Sequence, residues 1–230
     1  MPDFSRNPVV TLVFGASGYG KTTFCYRYLV NAATPQPANP EPAACIFIFD
    51  WKLEAQSRLG IPAVTTAAAC EAALADRVVV FNPHVAFPGT AQVLNPEGEK
   101  VLNDEKMALR WFARWVYGVC QRGPGRKIFY VDELRNFGNK FSVMPEIARI
   151  IRMGRAEGLE SLFSTQYPRD YHMDIRSGVT EWVAFNTIEE DNLAAVRPYF
   201  GDVAAMPFLN KGEFMAFNRE SRSGLRGRVF

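Results

Sequence analysis

The chain has 230 residues, 48% hydrophobic and 22% charged, with a formal net charge of +2. Such a composition belongs to a folded globular chain, with the length of one large domain, and excludes a collagen-like or wholly disordered one. No apolar run approaches the ~20 residues that cross a bilayer, so direct membrane insertion is not expected. The opening MPDFSRNP lacks the basic-then-apolar order of a leader, and a protein that stays in the cytoplasm is expected. Cys25, Cys45, Cys70 and Cys120 lie 20, 25 and 50 residues apart and the only histidines are His84 and His172. Buried free thiols are expected, with neither a zinc nor a redox site. Arginine outnumbers lysine 19 to 7. That bias suits phosphate and subunit contacts, and also follows from a GC-rich genome.

Strand-like and helix-like segments alternate. Val9–Phe14 is a continuous apolar, β-branched run and reads as a strand buried on both faces. A glycine-rich loop and a helix, Lys21–Ala33, follow. Residues 34–43 hold four prolines and read as a surface connection. Then come a strand, Cys45–Phe49, an alanine-rich helix over 65–75 and a strand, Val78–Phe81. Residues 82–99, with three prolines and two glycines, read as loop. A long helix is predicted over 103–121, a strand over Ile128–Val131, a helix over 145–157 and a strand over Ser161–Ser164. Strands over 182–185 and 214–217 flank a short helix over 192–196. Strands separated by helices predict an α/β fold: a mostly parallel central sheet with helices on both faces, in a single domain spanning 1–230.

Residues 15–22, GASGYGKT, fit the phosphate-loop pattern G-x-x-x-x-G-K-[ST] in full, between a buried strand and a helix. Gly15, Gly18 and Gly20 let the loop turn its N–H groups inward as an anion nest, with Ala16, Ser17, Tyr19 and Thr23 completing the wall. The helix N-terminus adds its positive dipole end. Lys21 is placed to reach the β- and γ-phosphates of ATP, and the Thr22 hydroxyl to ligate Mg²⁺. KIFYVDEL supplies a second buried strand ending in Asp132 and Glu133. Ligands bind at the carboxyl ends of strands in such sheets. Asp132 is expected to hold the Mg²⁺ shell, and Glu133 to take a proton from an attacking water. Gln166 ends the next strand, LFSTQ. Its amide could hydrogen-bond the γ-phosphate, although many strands end in a polar residue.

The block IARIIRMGRAEGLESLFSTQYPRD, Ile147–Asp170, resembles the R-x-x-G helix and T-Q strand of FtsK/HerA-superfamily DNA translocases. FIFDWKLE, Phe47–Glu54, resembles that family's second strand ending in D-x-K-G-E, with Leu53 where the family has glycine. KGEFMAFNRES, Lys211–Ser221, resembles its terminal strand. The resemblance implies a P-loop NTPase fold of the RecA-like (ASCE) type. Among members, the chain is similar to genome-packaging ATPases of tailless, internal-membrane dsDNA viruses, the tectivirus-like group, because neither an anchor, a barrel nor a winged helix is read in it. It implies an ATP hydrolase that forms a homo-oligomer, a hexameric ring, and drives double-stranded DNA through a capsid vertex or portal. It would act in the host cytoplasm or as part of the virion. Gln166 matches the family's sensor glutamine and Arg155 its trans-acting arginine. Arg152 is the reserve choice and Arg149 the third; a solvated basic helix face is the plain alternative for all three.

Two other readings stay open. One is a translocase for conjugation, plasmid mobilisation or filamentous-phage export. The other is a small-molecule kinase or nucleotide-gated binding module, which would leave Glu133 and Gln166 without a role. Residues 219–230 carry four arginines and one glutamate, and are expected to form a flexible tail available to DNA phosphates.

Overall fold

The computed structural model describes residues 8–35, 43, 45–83, 92–94, 100–102, 105–137, 140–200 and 202–230. The apolar runs form strands β1 (Val10–Phe14), β2 (Cys45–Phe49), β3 (Val78–Phe81), β6 (Lys127–Val131), β7 (Leu159–Thr165) and β8 (Glu181–Ala184). These six pair in parallel in the order β8-β1-β7-β6-β2-β3. Two antiparallel strands, β9 (Glu213–Asn218) and β10 (Ser223–Arg228), extend the sheet beyond β8 to eight strands. The mostly parallel sheet expected from the sequence is therefore present.

Period-two alternation sends side chains to two separate cores. Val13, Ile48, Ile128, Tyr130 and Leu162 pack with helix α1 (Lys21–Ala33) on one face. Leu12, Phe14, Phe47, Phe49, Phe129 and Phe163 face the other way. There they meet helices α4 (Glu105–Cys120), α5 (Pro145–Met153) and α7 (Glu190–Phe200). Helices thus cover both faces. Two short helices, α2 (Ala55–Leu59) and α3 (Ala67–Ala73), link β2 to β3, and α6 (Met173–Gly178) precedes β8. All four cysteines are buried and free, as expected. Among the described residues, no helix is long and apolar enough to cross a membrane.

Several expectations need correction. The loop expected over 82–99 carries a short strand β4 (Gln92–Leu94), paired antiparallel with β5 (Lys100–Leu102); residues 84–91 and 95–99 lie outside the described residues, as do 36–42 of the proline-rich connection. The helix expected to run to residue 157 ends at Met153, and a 3₁₀ turn covers Gly154–Glu157. Gly158 then turns left-handed at φ 73°, with room for no side chain, since a Cβ there would meet the Gly125 carbonyl at 2.6 Å. Helix α7 is longer than foreseen, and α2 and α6 were too short to show a period.

The larger correction concerns residues 219–230, which are not a flexible tail. Ser223–Arg228 pair residue by residue with Asn218–Glu213. The Arg219 guanidinium donates to the Ser177 and Val179 carbonyls, and Arg226 pairs with Glu213. Val229 is 3% exposed; its N–H donates to the Gly212 carbonyl and its own carbonyl accepts from Arg27. The serine and glycine content suggested mobility, but the backbone of Ser223–Arg228 pairs with β9 and Val229 is tied to Gly212 and to Arg27 of α1.

Deletion of residues 223–230 is therefore expected to destabilise the fold. Burying a valine side chain is worth about 1.5–3 kcal/mol, and a loss of ~2–4 kcal/mol lowers the unfolding midpoint by about 5–15 °C in a chain of this size. Thermal unfolding followed by circular dichroism checks this; an unchanged midpoint would restore the flexible tail.

Candidate functional site

The parallel register brings three strand ends to one edge. Phe14 of β1 lies opposite Thr165 of β7, and Val131 of β6 opposite Phe163. The phosphate loop leaves β1 at Gly15, Gln166 leaves β7, and Asp132 and Glu133 leave β6. Two of the predicted groups are in direct contact: the Gln166 backbone N–H donates to Glu133 Oε2 at 3.2 Å.

The loop is shaped by its glycines. Gly15, Gly18 and Gly20 have φ of 132°, 77° and 111°, a region that L side chains rarely adopt. At Gly15 a Cβ would also collide with Phe185 and the Asn186 carbonyl, at 2.8 and 2.9 Å. The Ala16 N–H donates to the Asn186 carbonyl at 2.7 Å, which ties the loop to the end of β8. Ser17 and Gly18 are exposed, while Tyr19, Gly20, Thr22 and Thr23 are half-buried around the start of α1. Lys21 is buried, and its Nζ donates to the Ala16 carbonyl at 3.0 Å, folding the side chain back across the loop. Burial pushes its pKa below the usual lysine value, against the pull of Glu133 and Asp132. A phosphate in the loop would offset the loss of hydration that burial imposes on this charge.

The two carboxylates are held differently. Asp132 Oδ1 accepts from Ser164 Oγ and from the Glu133 N–H, while Oδ2 meets Lys52 Nζ at 2.7 Å. The Glu133 N–H also lies 3.1 Å from Ser164 Oγ. Glu133 has φ 47°, a left-handed backbone that is costly for a residue with a Cβ. That twist turns the chain sharply out of β6 and aims the glutamate at the end of β7, where Gln166 begins. Beneath them Asp50, at the end of β2, accepts from the Glu54 and Ala55 N–H groups and starts α2; burial raises its pKa.

Two residues at the site were missed by sequence reasoning. Lys52 sits two positions beyond Asp50 in FIFDWKLE and pairs with Asp132 across 80 residues. Ser164 is fully buried near the end of β7. A small polar residue inside LFSTQ was the available signal. Leu53, standing where the resembling family has glycine, has φ 59°, so the left-handed turn is kept without the glycine.

Magnesium prefers hard oxygen donors and keeps most of its shell as water and substrate phosphate, taking one or two protein ligands. The Thr22 hydroxyl and Asp132 carboxylate fit that demand. Among the described residues there is no group of three or more His, Cys, Asp or Glu side chains that could hold a metal without a phosphate. Lys52 shares Asp132 and would have to yield one oxygen.

Arg155 is not brought to this edge. It lies in the 3₁₀ turn before β7, and the seven residues of β7 separate that turn from Gln166. At ~3.3 Å per residue this is about 20 Å. Its guanidinium meets Glu220 at 2.7 Å, Arg152 meets Asp174 at 2.5 Å, and Arg149 lies over the Tyr117 ring at 4.4 Å. Each of the three arginines therefore has a partner in its own chain, and the ion pairs of Arg152 and Arg155 lie at the surface.

The fold is similar to that of the genome-packaging NTPase B204 from Sulfolobus turreted icosahedral virus 2 in complex with AMPPCP. The TM-score is 0.70 at 15% sequence identity, over 97% of this chain and 98% of that one. It is also similar to the pCW3 conjugation coupling protein TcpA, monomer form with ATPγS, with a TM-score of 0.54 at 13% identity, over 96% of this chain and 60% of that one. For ATPases 2 and 3 of EssC from Geobacillus thermodenitrificans the TM-score is 0.51 at 13% identity, over 95% of this chain and 39% of that one. No family model and no curated protein matches the sequence. At these identities the likeness is one of fold, and the fold is the P-loop NTPase fold that the FtsK/HerA resemblance implied.

The left-handed backbone at Glu133 gives a stability test. Glu133→Gly and Glu133→Ala both lose the carboxylate, but only glycine accepts φ 47° freely. The glycine variant is expected to be more stable than the alanine variant by about 1 kcal/mol in denaturant melts. Equal stability would mean that the site holds no backbone strain there.

Proposed function

We propose that this protein is a Mg²⁺-dependent ATPase that translocates double-stranded DNA, packaging a viral genome into a preformed capsid. The observation that carries the reading is the convergence of the phosphate loop, Asp132, Glu133 and Gln166 on one sheet edge. A kinase or a passive nucleotide switch has no use for Glu133 clasped against the sensor position. Packaging is preferred over conjugative coupling because the likeness to the viral NTPase spans almost the whole of both chains, whereas that to the coupling protein spans 60% of it.

In this reading the loop N–H groups and Lys21 bind the β- and γ-phosphates. Thr22 and Asp132 would hold Mg²⁺, which when bound neutralises phosphate charge. Glu133 accepts the proton of the water that attacks the γ-phosphorus. Gln166, sharing a hydrogen bond with Glu133 through its backbone, reports whether the γ-phosphate is present. Arg155 serves a neighbouring subunit in a ring, proposed to be a hexamer, since its own phosphate loop lies at the far edge. The partners would be DNA and a capsid vertex or portal protein, in the host cytoplasm or the virion.

Glu133→Gln is expected to bind ATP with near-normal affinity and to lose turnover by at least ~100-fold, as befits loss of a general base. Equilibrium binding and steady-state phosphate release measure both; near wild-type turnover would remove Glu133 from its role.

Arg155→Ala is expected to abolish turnover while leaving the ATP affinity of the isolated subunit unchanged, because an arginine supplied in trans contributes on the order of 10³–10⁵ in rate. Mixing it with Glu133→Gln protein should restore partial activity absent from either parent. Co-assembled mixtures that stay inactive, together with full turnover in Arg155→Lys, would count against a finger in trans.

A further inference from the structure

Phe230 has a place beside the phosphate loop that the chemistry above does not use. A Cβ built on Gly212 would lie 2.8 Å from the Phe230 ring, and one built on Gly20 would lie 3.3 Å from it. Both glycines have positive φ, 84° and 111°, so the backbone under the ring is bare by construction. Phe230 as a whole residue is nonetheless 56% exposed. Exposed aromatics are commonplace, but this one is fixed. Its neighbour Val229 is buried, with its N–H on the Gly212 carbonyl at 2.8 Å and its carbonyl on the Arg27 guanidinium. Gly212 in turn donates to the Tyr19 carbonyl at 3.0 Å. A short chain of hydrogen bonds therefore runs from the phosphate loop through Gly212 to Val229, the residue next to the one that carries the ring.

Topology decides which end of a bound nucleotide lies here. Glu133 and Gln166 stand on the β7–β6 side of β1, so the γ-phosphate must face that side. The nucleoside leaves the loop on the opposite side, toward β8, β9 and β10. Because β9 runs antiparallel to β8, it begins at the edge where β8 ends; β10, antiparallel again, finishes there. Gly212 and Phe230 are thus brought to the nucleoside side of the same edge. The amides nearby are committed elsewhere: Asn186 Nδ2 donates to the Pro207 and Leu209 carbonyls at 2.9 and 3.0 Å, and Asn210 Nδ2 to Glu213 at 3.1 Å. What the site offers a base is an aromatic face.

We propose that the Phe230 ring, seated on Gly212 and Gly20, is the platform on which the base of the bound nucleotide stacks. The proposal rests on the ATPase reading above and makes Phe230 a positioning residue, not a catalytic one. Base-on-aromatic stacking is worth enough to change affinity by about 10-fold, and it tolerates any base.

The test compares a non-hydrolysable ATP analogue with inorganic tripolyphosphate, both with Mg²⁺, by titration calorimetry on the full chain. Tripolyphosphate engages the loop but has no base. Phe230→Ala is expected to weaken the analogue about 10-fold and leave tripolyphosphate unchanged, with Phe230→Trp restoring the analogue. Phe230→Leu keeps apolar packing on Gly212 without a π face, and should show the same loss if the alanine variant does not fold. Unchanged analogue affinity in the alanine or leucine variant overturns the platform and leaves the ATPase reading intact. An equal loss for both ligands also overturns it, because Phe230 would then act by shaping the loop. Failure of the wild-type chain to bind either ligand sinks the ATPase reading itself.

Discussion

Parallel pairing of β7 with β1 on one side and β6 on the other fixes where every charged group of the site can stand. Phe14, Thr165 and Val131 reach the edge within two residues of one another in register. A one-residue slip would turn Ser164 away from Asp132 and reverse the two faces of the strand. The register is enforced by burial: every residue of β1, β6 and β7 is buried, with large side chains committed to opposite cores. Hydrophobic packing far from the phosphate loop thereby sets the hydrogen bonds beside it.

On this frame the electrostatics form one connected set. Lys52, Asp132, Ser164 and the Glu133 N–H share hydrogen bonds, and Glu133 continues the chain to the Gln166 backbone. A buried polar network of this kind rigidifies its members only when each is satisfied. Here the cation paired directly with Asp132, Lys52, is a lysine on a flexible stem. Its charge can be exchanged for another without rebuilding the backbone.

Much of the frame was legible in the sequence because it was written in long apolar runs and glycine spacing. β1, α1, β2 and β3 fall where periodicity and the loop motif put them. The phosphate loop, Asp132, Glu133 and Gln166 were legible for the same reason: each ends a strand whose burial the sequence declares. Lys52 and Ser164 were not, since their roles depend on contacts across 80 and 32 residues that no local pattern encodes. The helices α2 and α6 span five and six residues, less than two turns. β10 was misread because SGLRGR has the composition of a linker, and only β9 beside it makes it a strand.

That composition has a consequence for how copies of the chain behave at close quarters. β10 closes one end of the sheet, and a sheet end is a template for adding a strand from another molecule. Two glycines and two arginines in six residues make this a poor template, weak in β-propensity and charged along its length. The same six residues pair well with β9 and badly with anything that approaches from outside. Crowding of copies is thereby less able to lead to fibre growth through this end of the sheet.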